Sequence, residues 1–333
     1  MSLTAAALRR VAVAVQTVAA GGIVAGLVTG AGWPWLPAIG AALLAVLLGF
    51  GIGVATAFAI TLGGVGIAPG ARLAHPADAP RPQPLGLSGA LRCYLSECRA
   101  VFRMFNWLQP FRSRITFAQP RSADAPAVLL VHGYGCNHAV WLDMAPALVA
   151  AGYRCEGIDL EPVLGNIDDY APALLARMRD IAARSGQPPL LVCHSMGGLA
   201  ARAAQVLAQR DAATRDAPPP CAGIVTLGSP HHGCALARYG SGHNARQMRW
   251  DSPWLQALAN AETPAMRARI VSVFSWHDSI AGPPGTSWLH GARNVPLAGI
   301  GHVSLLRHPR AVAATLSALD TLHAARAPAS TFM

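Results

Sequence analysis

Residues 190–199 read Leu190-Leu191-Val192-Cys193-His194-Ser195-Met196-Gly197-Gly198-Leu199. An apolar run that predicts a buried strand leads through a turn, with Ser195 at its apex, into a predicted helix. The stretch matches the G-x-S-x-G pattern of a nucleophile held between a strand and a helix, with Cys193 in place of the first glycine. Such a turn needs small residues because the strand and the helix nearly touch, and cysteine is still small enough. The sequence therefore predicts a reactive serine at residue 195.

Short β-rich runs and helical segments alternate on both sides of this turn. The predicted strands are Arg114–Phe117, Ala127–Val131, Arg154–Ile158, Leu190–Cys193, Gly223–Leu227, Ile270–Phe274 and Asn294–Leu297. The predicted helices are Ala139–Ala151, Asp169–Arg184, Met196–Gln209 and Pro309–Ala325. Alternating β and α units predict a parallel sheet with helices on both faces, whose ligands bind at the carboxyl ends of the strands.

Two further polar residues follow predicted strands. Asp278 lies just beyond the strand that ends at Phe274, and His302 lies in a glycine-flanked loop after the strand that ends at Leu297. A serine hydroxyl needs a base to take its proton, and in this arrangement the partners follow in the order serine, acid, histidine. The sequence predicts Asp278 as the acid and His302 as the base. The rival residues lack this placement at a strand end: Asp251, Glu262, His277, His290 and His308.

A glycine-rich turn, His132-Gly133-Tyr134-Gly135, ends the strand Ala127–Val131. The tetrahedral intermediate of acyl transfer carries an oxyanion, which needs preorganised N–H donors. We expect the backbone amides of Tyr134 and Met196 to form this pair. A phosphate-binding loop is the alternative interpretation of the turn, but the Gly-Lys-Ser/Thr ending of a P-loop is absent.

Residues 234–268 form the predicted lid or specificity region. Its apolar residues are candidates for an acyl-chain pocket, in particular Met248, Trp250, Trp254 and Leu255. The alternative is an inserted helix packed on the domain, with Ser252 as its cap and Pro253 at its first position. The sequence favours neither interpretation.

The N-terminal segment has a different character, since Arg9 and Arg10 are the only charged residues in 1–71. Residues 11–31 and 36–67 are each long enough to cross a hydrocarbon core about 30 Å thick. The segment 1–67 is therefore predicted to form two transmembrane helices that place residues 11–67 in the lipid bilayer. A cleavable signal peptide is the alternative, but the first run is too long for one and a second run follows at once.

Flanking residues give the hairpin a predicted orientation. Arginines precede the first helix and follow the second, whereas the connection holds none, so both termini and the rest of the chain are expected in the cytoplasm. Trp33 and Trp35 on the connection are typical of a membrane interface. Gly22, Gly26 and Gly30 recur every four residues, which predicts close packing of the first helix on its neighbour.

A proline-rich linker, residues 68–87, and an amphipathic helix, residues 88–112, precede the predicted catalytic domain, residues 113–333. Ser88 is the expected cap of the helix. Its predicted buried stripe comprises Leu91, Leu95, Cys98, Val101, Phe102 and Phe105. The helix could lie on a lipid surface or pack on the following domain.

Overall composition excludes other classes of protein. The chain carries a net charge of +10, and all 26 basic residues are arginine. No arginine cluster interleaves with aromatic residues, so nucleic acid is not an expected partner. The seven cysteines have irregular spacing, which predicts buried thiols and no disulfide framework.

Residues 114–325 resemble the α/β-hydrolase superfamily, in particular bacterial lipases and esterases of the triacylglycerol lipase type. The resemblance rests on His132-Gly133-Tyr134-Gly135, Cys193–Gly198, Gly228-Ser229-Pro230-His231-His232-Gly233, Asp278 and Gly299-Ile300-Gly301-His302. It implies an α/β-hydrolase fold and a Ser-Asp-His ester hydrolase without an organic cofactor. Some such lipases hold a structural calcium near the histidine, but no acidic pair is evident around His302, and no metal is expected.

These expectations combine into one hypothesis, a multi-pass protein of a bacterial inner membrane. It would cleave carboxylic esters, either lipids or other acyl esters, through an acyl-Ser195 intermediate. A thioesterase, an amidase or an acyltransferase would use the same three residues. A non-catalytic membrane scaffold is the alternative from a different class.

Overall fold

The computed structural model describes residues 4–65, 67, 84–122, 124–211, 219–283 and 285–325. Most of the expected linker, residues 68–83, lies outside these described residues. The helices are α1 Ala5–Ala25, α2 Trp35–Gly63, α3 Leu87–Arg103, α4 Gln109–Phe111, α5 Ala145–Ala150, α6 Ile167–Ser185, α7 Met196–Arg210, α8 Gly242–Gln247, α9 Pro253–Ala261, α10 Pro264–Arg267 and α11 Pro309–Ala324. The strands are β1 Ala127–Val131, β2 Arg154–Ile158, β3 Leu190–His194, β4 Gly223–Leu227, β5 Ile270–Ser275 and β6 Arg293–Leu297.

The six strands form one parallel sheet in the order β2-β1-β3-β4-β5-β6. The central strands β1, β3, β4 and β5 are buried along their whole length, which fits their runs of β-branched and leucine residues. The order reverses direction at β1 and β3, so the carboxyl ends of these strands form the crevice where such sheets bind ligands. The fold class predicted from the sequence is confirmed.

The strand predicted at Arg114–Phe117 is wrong. Phe117 packs edge-on against the ring of His138, with ring centroids 6.1 Å apart. The side-chain amide of Gln119 donates to the backbone carbonyl of Cys155 on the edge strand β2. This side chain occupies an acceptor that a seventh strand would need, so the sheet ends at β2.

Helices cover both faces of the sheet and bury one apolar layer on each. The helices α6 and α7 bound the layer that contains Leu129, Leu174 and Leu199. The helix α11 and the segment around Trp141 bound the layer that contains Leu130, Val192 and Leu319. Because apolar layers cover both faces, the carboxyl ends of the strands are the place where the sheet offers a ligand site.

Helices α1 and α2 form an antiparallel hairpin beside this domain. The span Ala5–Gly30, which includes a π-helical turn after α1, and α2 are both long and apolar enough to cross a membrane, with mean hydropathy of 2.1 and 2.4. At most 6% of their most apolar stretches is buried in the protein. The predicted role of the glycines is wrong: an added Cβ would meet no atom within 4 Å at Gly22, Gly26 or Gly30. An open groove is lined by residues of α1, α2 and α3.

Helix α3 presents an unexpected face to the domain. It begins at Leu87 after Gly86, so Ser88 is not its cap. Its buried residues are Cys93, Glu97 and Ala100, followed by Met104 in the next turn, whereas Leu91, Leu95 and Phe102 of the predicted stripe are exposed. The helix therefore packs on the domain with a face that contains a carboxylate. It continues past Pro110 through a π-helical turn, Met104–Leu108, and α4.

Candidate active site

Ser195 occupies a strained turn between β3 and α7. Its backbone has φ 55° and ψ −125°, a region that residues other than glycine rarely adopt. The backbone N–H of Ser195 donates to the carbonyl of Leu227, and the hydroxyl of Ser229 donates to the carbonyl of Ser195, at 2.9 and 2.7 Å. These two bonds hold the turn at the carboxyl edge of the sheet.

Positions 197 and 198 must be glycine for this turn to form. A Cβ at Gly197 would overlap the backbone carbonyls of Val131 and His132 at the end of β1. A Cβ at Gly198 would overlap the side chains of Ser229 and Thr226. The strand, the helix and the neighbouring strand ends therefore approach one another closely only because both positions lack a side chain.

The structure brings Asp278 and His302 together. The ring nitrogen Nδ1 of His302 lies 2.9 Å from Oδ2 of Asp278, and both residues are only 3% exposed. The other carboxylate oxygen of Asp278 accepts the backbone N–H groups of Ile280 and Ala281, each at 2.7 Å. These bonds fix the carboxylate, and the proton on Nδ1 leaves Nε2 of His302 as the acceptor.

Two opposing effects set the pKa of His302. Burial of the ring lowers this pKa, but the charge of Asp278, its hydrogen bond and the charge of Glu97 raise it, and the balance lies above the ordinary value. The surrounding carboxylates therefore favour the imidazolium form.

Gly228, directly after β4, leaves room for the side chains of Asp278 and His302. Its φ is +58°, and a Cβ there would lie 2.9 Å from Oδ2 of Asp278 and 3.2 Å from Nδ1 of His302. A glycine is required here both by the backbone conformation and by the side chains next to it.

His194, which the sequence analysis did not single out, supports the loop of His302. Its Nε2–H donates to the backbone carbonyl of His302 at 3.2 Å, and the two ring centroids are 4.5 Å apart. Burial, with the nearby His302, lowers the pKa of His194 well below its ordinary value, so the ring is neutral. Its place directly before Ser195 was the only signal in the sequence.

The turn after β1 lies against the nucleophile. A Cβ at Gly133 would come within 2.9 Å of the Cβ of Ser195. The Nδ1–H of His132 donates to the carbonyl of Gly133, and its Nε2 accepts the N–H of Leu160, both at 2.9 Å. Burial lowers the pKa of His132, so this ring is a neutral brace of the turn.

The two amides predicted to bind the oxyanion belong to this turn and to the start of α7. Within the described part of the chain, the N–H groups of Tyr134 and Met196 donate to no other residue. The phenol of Tyr134 donates to the carbonyl of Ser241 at 2.7 Å, which ties the turn to the region 234–268. Both amides are therefore available at the crevice.

The four predicted substrate residues are held by contacts within the fold. Met248 and Leu255 are buried in the apolar layer beneath α6 and α7. The indole of Trp254 donates to Asp168 at 2.7 Å, and the backbone of Trp250 lies against Gly233. These contacts favour the inserted helix, and their role in substrate binding stays a prediction.

That helix is α9, and it begins as predicted. The hydroxyl of Ser252 accepts the N–H of Leu255, and Pro253 takes the first helical position.

Three of the five rival acid and base residues have other partners. Both carboxylate oxygens of Glu262 lie 2.6 Å from the buried guanidinium of Arg202. Nδ1 of His277 accepts the N–H of Gly299, and His308 accepts an N–H at the start of α11. Among the described residues, no group of three or more histidine, cysteine or acidic side chains is placed to hold a metal ion.

The ends of the apolar hairpin reach the loops of the site. The guanidinium of Arg9 donates to the carbonyl of Gly135 at 3.2 Å and lies 4.0 Å above the ring of Phe105. At the end of α2, the hydroxyl of Thr61 donates to the carbonyl of Ser279 at 3.0 Å. The hairpin therefore contacts the site on both the turn after β1 and the loop of Asp278.

Comparison with known proteins agrees with this architecture. Residues 126–275 match the sequence profile of a family described as having the alpha/beta hydrolase fold. A search of curated proteins by sequence found no match. The chain has the α/β-hydrolase fold, preceded by two apolar helices.

Solved structures give the same result. The mature form of Bacillus licheniformis lipase BlEst2 is 18% identical, with a TM-score of 0.50 over 62% of this chain and 96% of that chain. Aspergillus fumigatus lipase B is 17% identical, with a TM-score of 0.52 over 61% of this chain and 55% of that chain, about half its length. At such identities the similarity concerns the fold.

Proposed function

We propose that this chain is a membrane-anchored serine hydrolase that cleaves carboxylic esters. The observation that carries the proposal is the position of Ser195 on a strained turn at the same sheet edge as the hydrogen-bonded pair Asp278–His302. Serine, acid and histidine follow strands β3, β5 and β6, the order that this fold uses for nucleophilic catalysis.

In the proposed reaction, His302 takes the proton of the Ser195 hydroxyl through Nε2 as the oxygen attacks the ester carbonyl. Asp278 holds the ring and stabilises the imidazolium. The amides of Tyr134 and Met196 bind the oxyanion, His302 returns the proton to the leaving alcohol, and an acyl-Ser195 ester remains. Water activated by His302 then attacks this ester and releases the acid.

The hairpin supports a membrane anchor and a lipid substrate. Its exposed apolar surface, which includes Val11, Val18, Leu43 and Leu47, has no protein partner in the described chain. An open groove of about 560 Å³ between α1, α2 and α3 is lined by apolar residues and ends at Ser279 and Ile280, next to Asp278. Such a groove could take an acyl chain from the bilayer to the edge of the site. The arginines that flank the hairpin support a cytoplasmic domain.

One labelling experiment tests nucleophile, anchor and orientation together. A charged fluorophosphonate that does not cross membranes is added to spheroplasts and to inverted inner-membrane vesicles carrying the wild type, Ser195→Ala or Ser185→Ala. Ser185 ends α6 at the opposite edge of the sheet and serves as the matched control. We expect labelling of the wild type and of Ser185→Ala in inverted vesicles, and none in Ser195→Ala.

Other outcomes of this experiment contradict separate parts of the proposal. Labelling in spheroplasts alone would show that the catalytic domain lies on the outer face of the membrane. In a second measurement the vesicles are washed at alkaline pH, and release of the protein would contradict the membrane anchor. If the folded wild type is labelled in neither preparation, the result favours the non-catalytic membrane scaffold. Hydrolysis rates with p-nitrophenyl esters from C2 to C16 distinguish the substrate classes, and a maximum at C8 or longer indicates a lipase. Acyl transfer to an added alcohol in place of hydrolysis indicates an acyltransferase.

A further inference from the structure

Glu97 is a buried carboxylate that the mechanism above does not use. It lies on α3, outside the residues that match the family profile, and its exposed fraction is 0%. Among the described residues it forms no ion pair with an arginine or histidine. A carboxylate buried in this way is stabilised only if donors satisfy its oxygens.

The donors to Glu97 come from the two loops that carry the acid and the base. Its Oε1 accepts the hydroxyl of Ser279 at 2.6 Å and the backbone N–H of Val303 at 2.9 Å. Its Oε2 accepts the N–H of Ser304 at 2.9 Å. Ser279 directly follows Asp278, and Val303 directly follows His302, so one side chain joins both loops.

The connection extends to His302 itself. The hydroxyl of Ser279, which donates to Glu97, also accepts the backbone N–H of His302 at 3.3 Å. A Cβ at Gly301 would overlap the carboxylate of Glu97, so the glycine before His302 is what lets the loop reach it. The N–H groups of Val303 and Ser304 begin the short 3₁₀ helix Val303–Leu306, and Glu97 caps it from another element.

We propose that Glu97 is a positioning residue for His302: it locks the histidine loop to the aspartate loop from outside the family-matched region, and its charge stabilises the imidazolium. His302 is the base only under the function proposed above, and the role of Glu97 rests on it. The titratable groups that face His302 in the described structure are Asp278 from the loop after β5, Glu97 from α3 and His194 from β3. Cys93 lies near both carboxylates, but burial, with the nearby Glu97 and Asp278, raises the pKa of its thiol to about 12, and it stays neutral.

The charge of Glu97 has a consequence that a purely structural contact lacks. A negative charge raises the pKa of His302, and its removal lowers that pKa. Because the base must be neutral, activity falls as pH drops through this pKa. Loss of the charge therefore moves the acidic limb of the pH profile to lower pH.

The test uses full-length protein in detergent with p-nitrophenyl butyrate from pH 5 to 9. Glu97→Gln should lower kcat about ten- to a hundredfold by displacing the base, with KM within about twofold. Its acidic limb should move to lower pH. Glu156→Gln is the matched control, because Glu156 lies on the edge strand β2 and pairs with Arg177 and Arg184.

A second variant separates position from charge. Ser279→Ala removes the hydroxyl between Glu97 and His302 but keeps the carboxylate. It should lower kcat without moving the acidic limb. The proposal is overturned if folded Glu97→Gln has the kcat and the pH profile of the wild type. It is also overturned if this variant loses thermal stability while both of these remain unchanged.

A third measurement does not depend on turnover. The ring of His302 is titrated by NMR in 15N-histidine-labelled protein, assigned by its disappearance in His302→Gln. A lower pKa in Glu97→Gln supports the coupling even if the chain hydrolyses no ester, whereas an unchanged pKa overturns it. Failure of this inference and failure of the proposed function are thereby distinguished.

Discussion

The two sides of the candidate site are built in different ways. The nucleophile side, Ser195 with the turn between β3 and α7, is a strand–turn–helix braced by the residues that end β4, and all of it lies within the family-matched residues 126–275. The histidine side, Asp278 and His302 with their loops, lies beyond that match and is held by Glu97, whose bond to Val303 spans 206 residues. The serine turn needs support only from the neighbouring strand of the same sheet, whereas the acid and the base also need contacts from α3, which lies outside the sheet.

The largest expected effect comes from the acid on the histidine side. Asp278→Asn removes the charge that orients and stabilises His302, and kcat should fall about 10⁴-fold. Because the pKa of His302 should also fall, the acidic limb should move to lower pH. The steady-state pH profile with p-nitrophenyl butyrate measures both effects. Asp251→Asn, a change at an exposed rival acid, is the control, and a loss below tenfold at Asp278 would mean that another residue acts as the acid.

A smaller effect is expected from the glycine between the two sides. Gly228→Ala places a methyl group against Asp278 and His302 and should lower kcat about ten- to a hundredfold. Gly152→Ala is the matched control, since Gly152 also has a positive φ, of 92°, but an added Cβ meets no atom within 4 Å. Kinetics and melting temperature are measured for both variants. Equal losses of activity would show that backbone strain, and not displacement of the pair, is responsible.

The smallest expected effect concerns the hairpin. Arg9→Ala frees the carbonyl of Gly135 at the turn that carries the predicted oxyanion amide of Tyr134, and kcat/KM should fall about two- to tenfold. Arg10→Ala removes a comparable bond, to the carbonyl of Pro110, away from this turn and should leave kcat/KM unchanged. Ester hydrolysis in detergent compares the two variants. A similar loss in both would indicate a general effect on the hairpin.

Much of the sheet domain could be predicted from the sequence. Six of the seven predicted strands agree with β1, β2, β3, β4, β5 and β6 within one residue at each end. Four of them, β1, β3, β4 and β5, have the continuous apolar runs that buried parallel strands show. The segment Arg114–Phe117 has the same local character but no strand partner, since Gln119 takes the edge of β2. A strand there would need a free edge of β2 to pair with, and the residues of the segment do not show whether that edge is free.

The buried face of α3 could not be predicted from the sequence. Its strongest apolar stripe predicted burial of Leu91 and Leu95, yet these residues are exposed and Glu97 is buried. A hydrophobic stripe predicts the buried face of a helix only when its partner surface is apolar. Here the partner is a loop whose backbone N–H groups, those of Val303 and Ser304, need an acceptor. No pattern within residues 88–112 contains that information.

The sequence by itself determined the nucleophile turn, the parallel sheet, the candidate acid and base, and the apolar hairpin. Each of these depends on residues close together in the chain: glycines beside Ser195, apolar strands, polar residues just beyond strand ends and long uncharged helices. Only the tertiary structure decided that His194 and Glu97 support His302 and that Arg9 and Thr61 bring the hairpin to the site. These contacts join segments far apart in sequence, and the need of a buried polar group for a partner becomes specific only once the fold has chosen its neighbours.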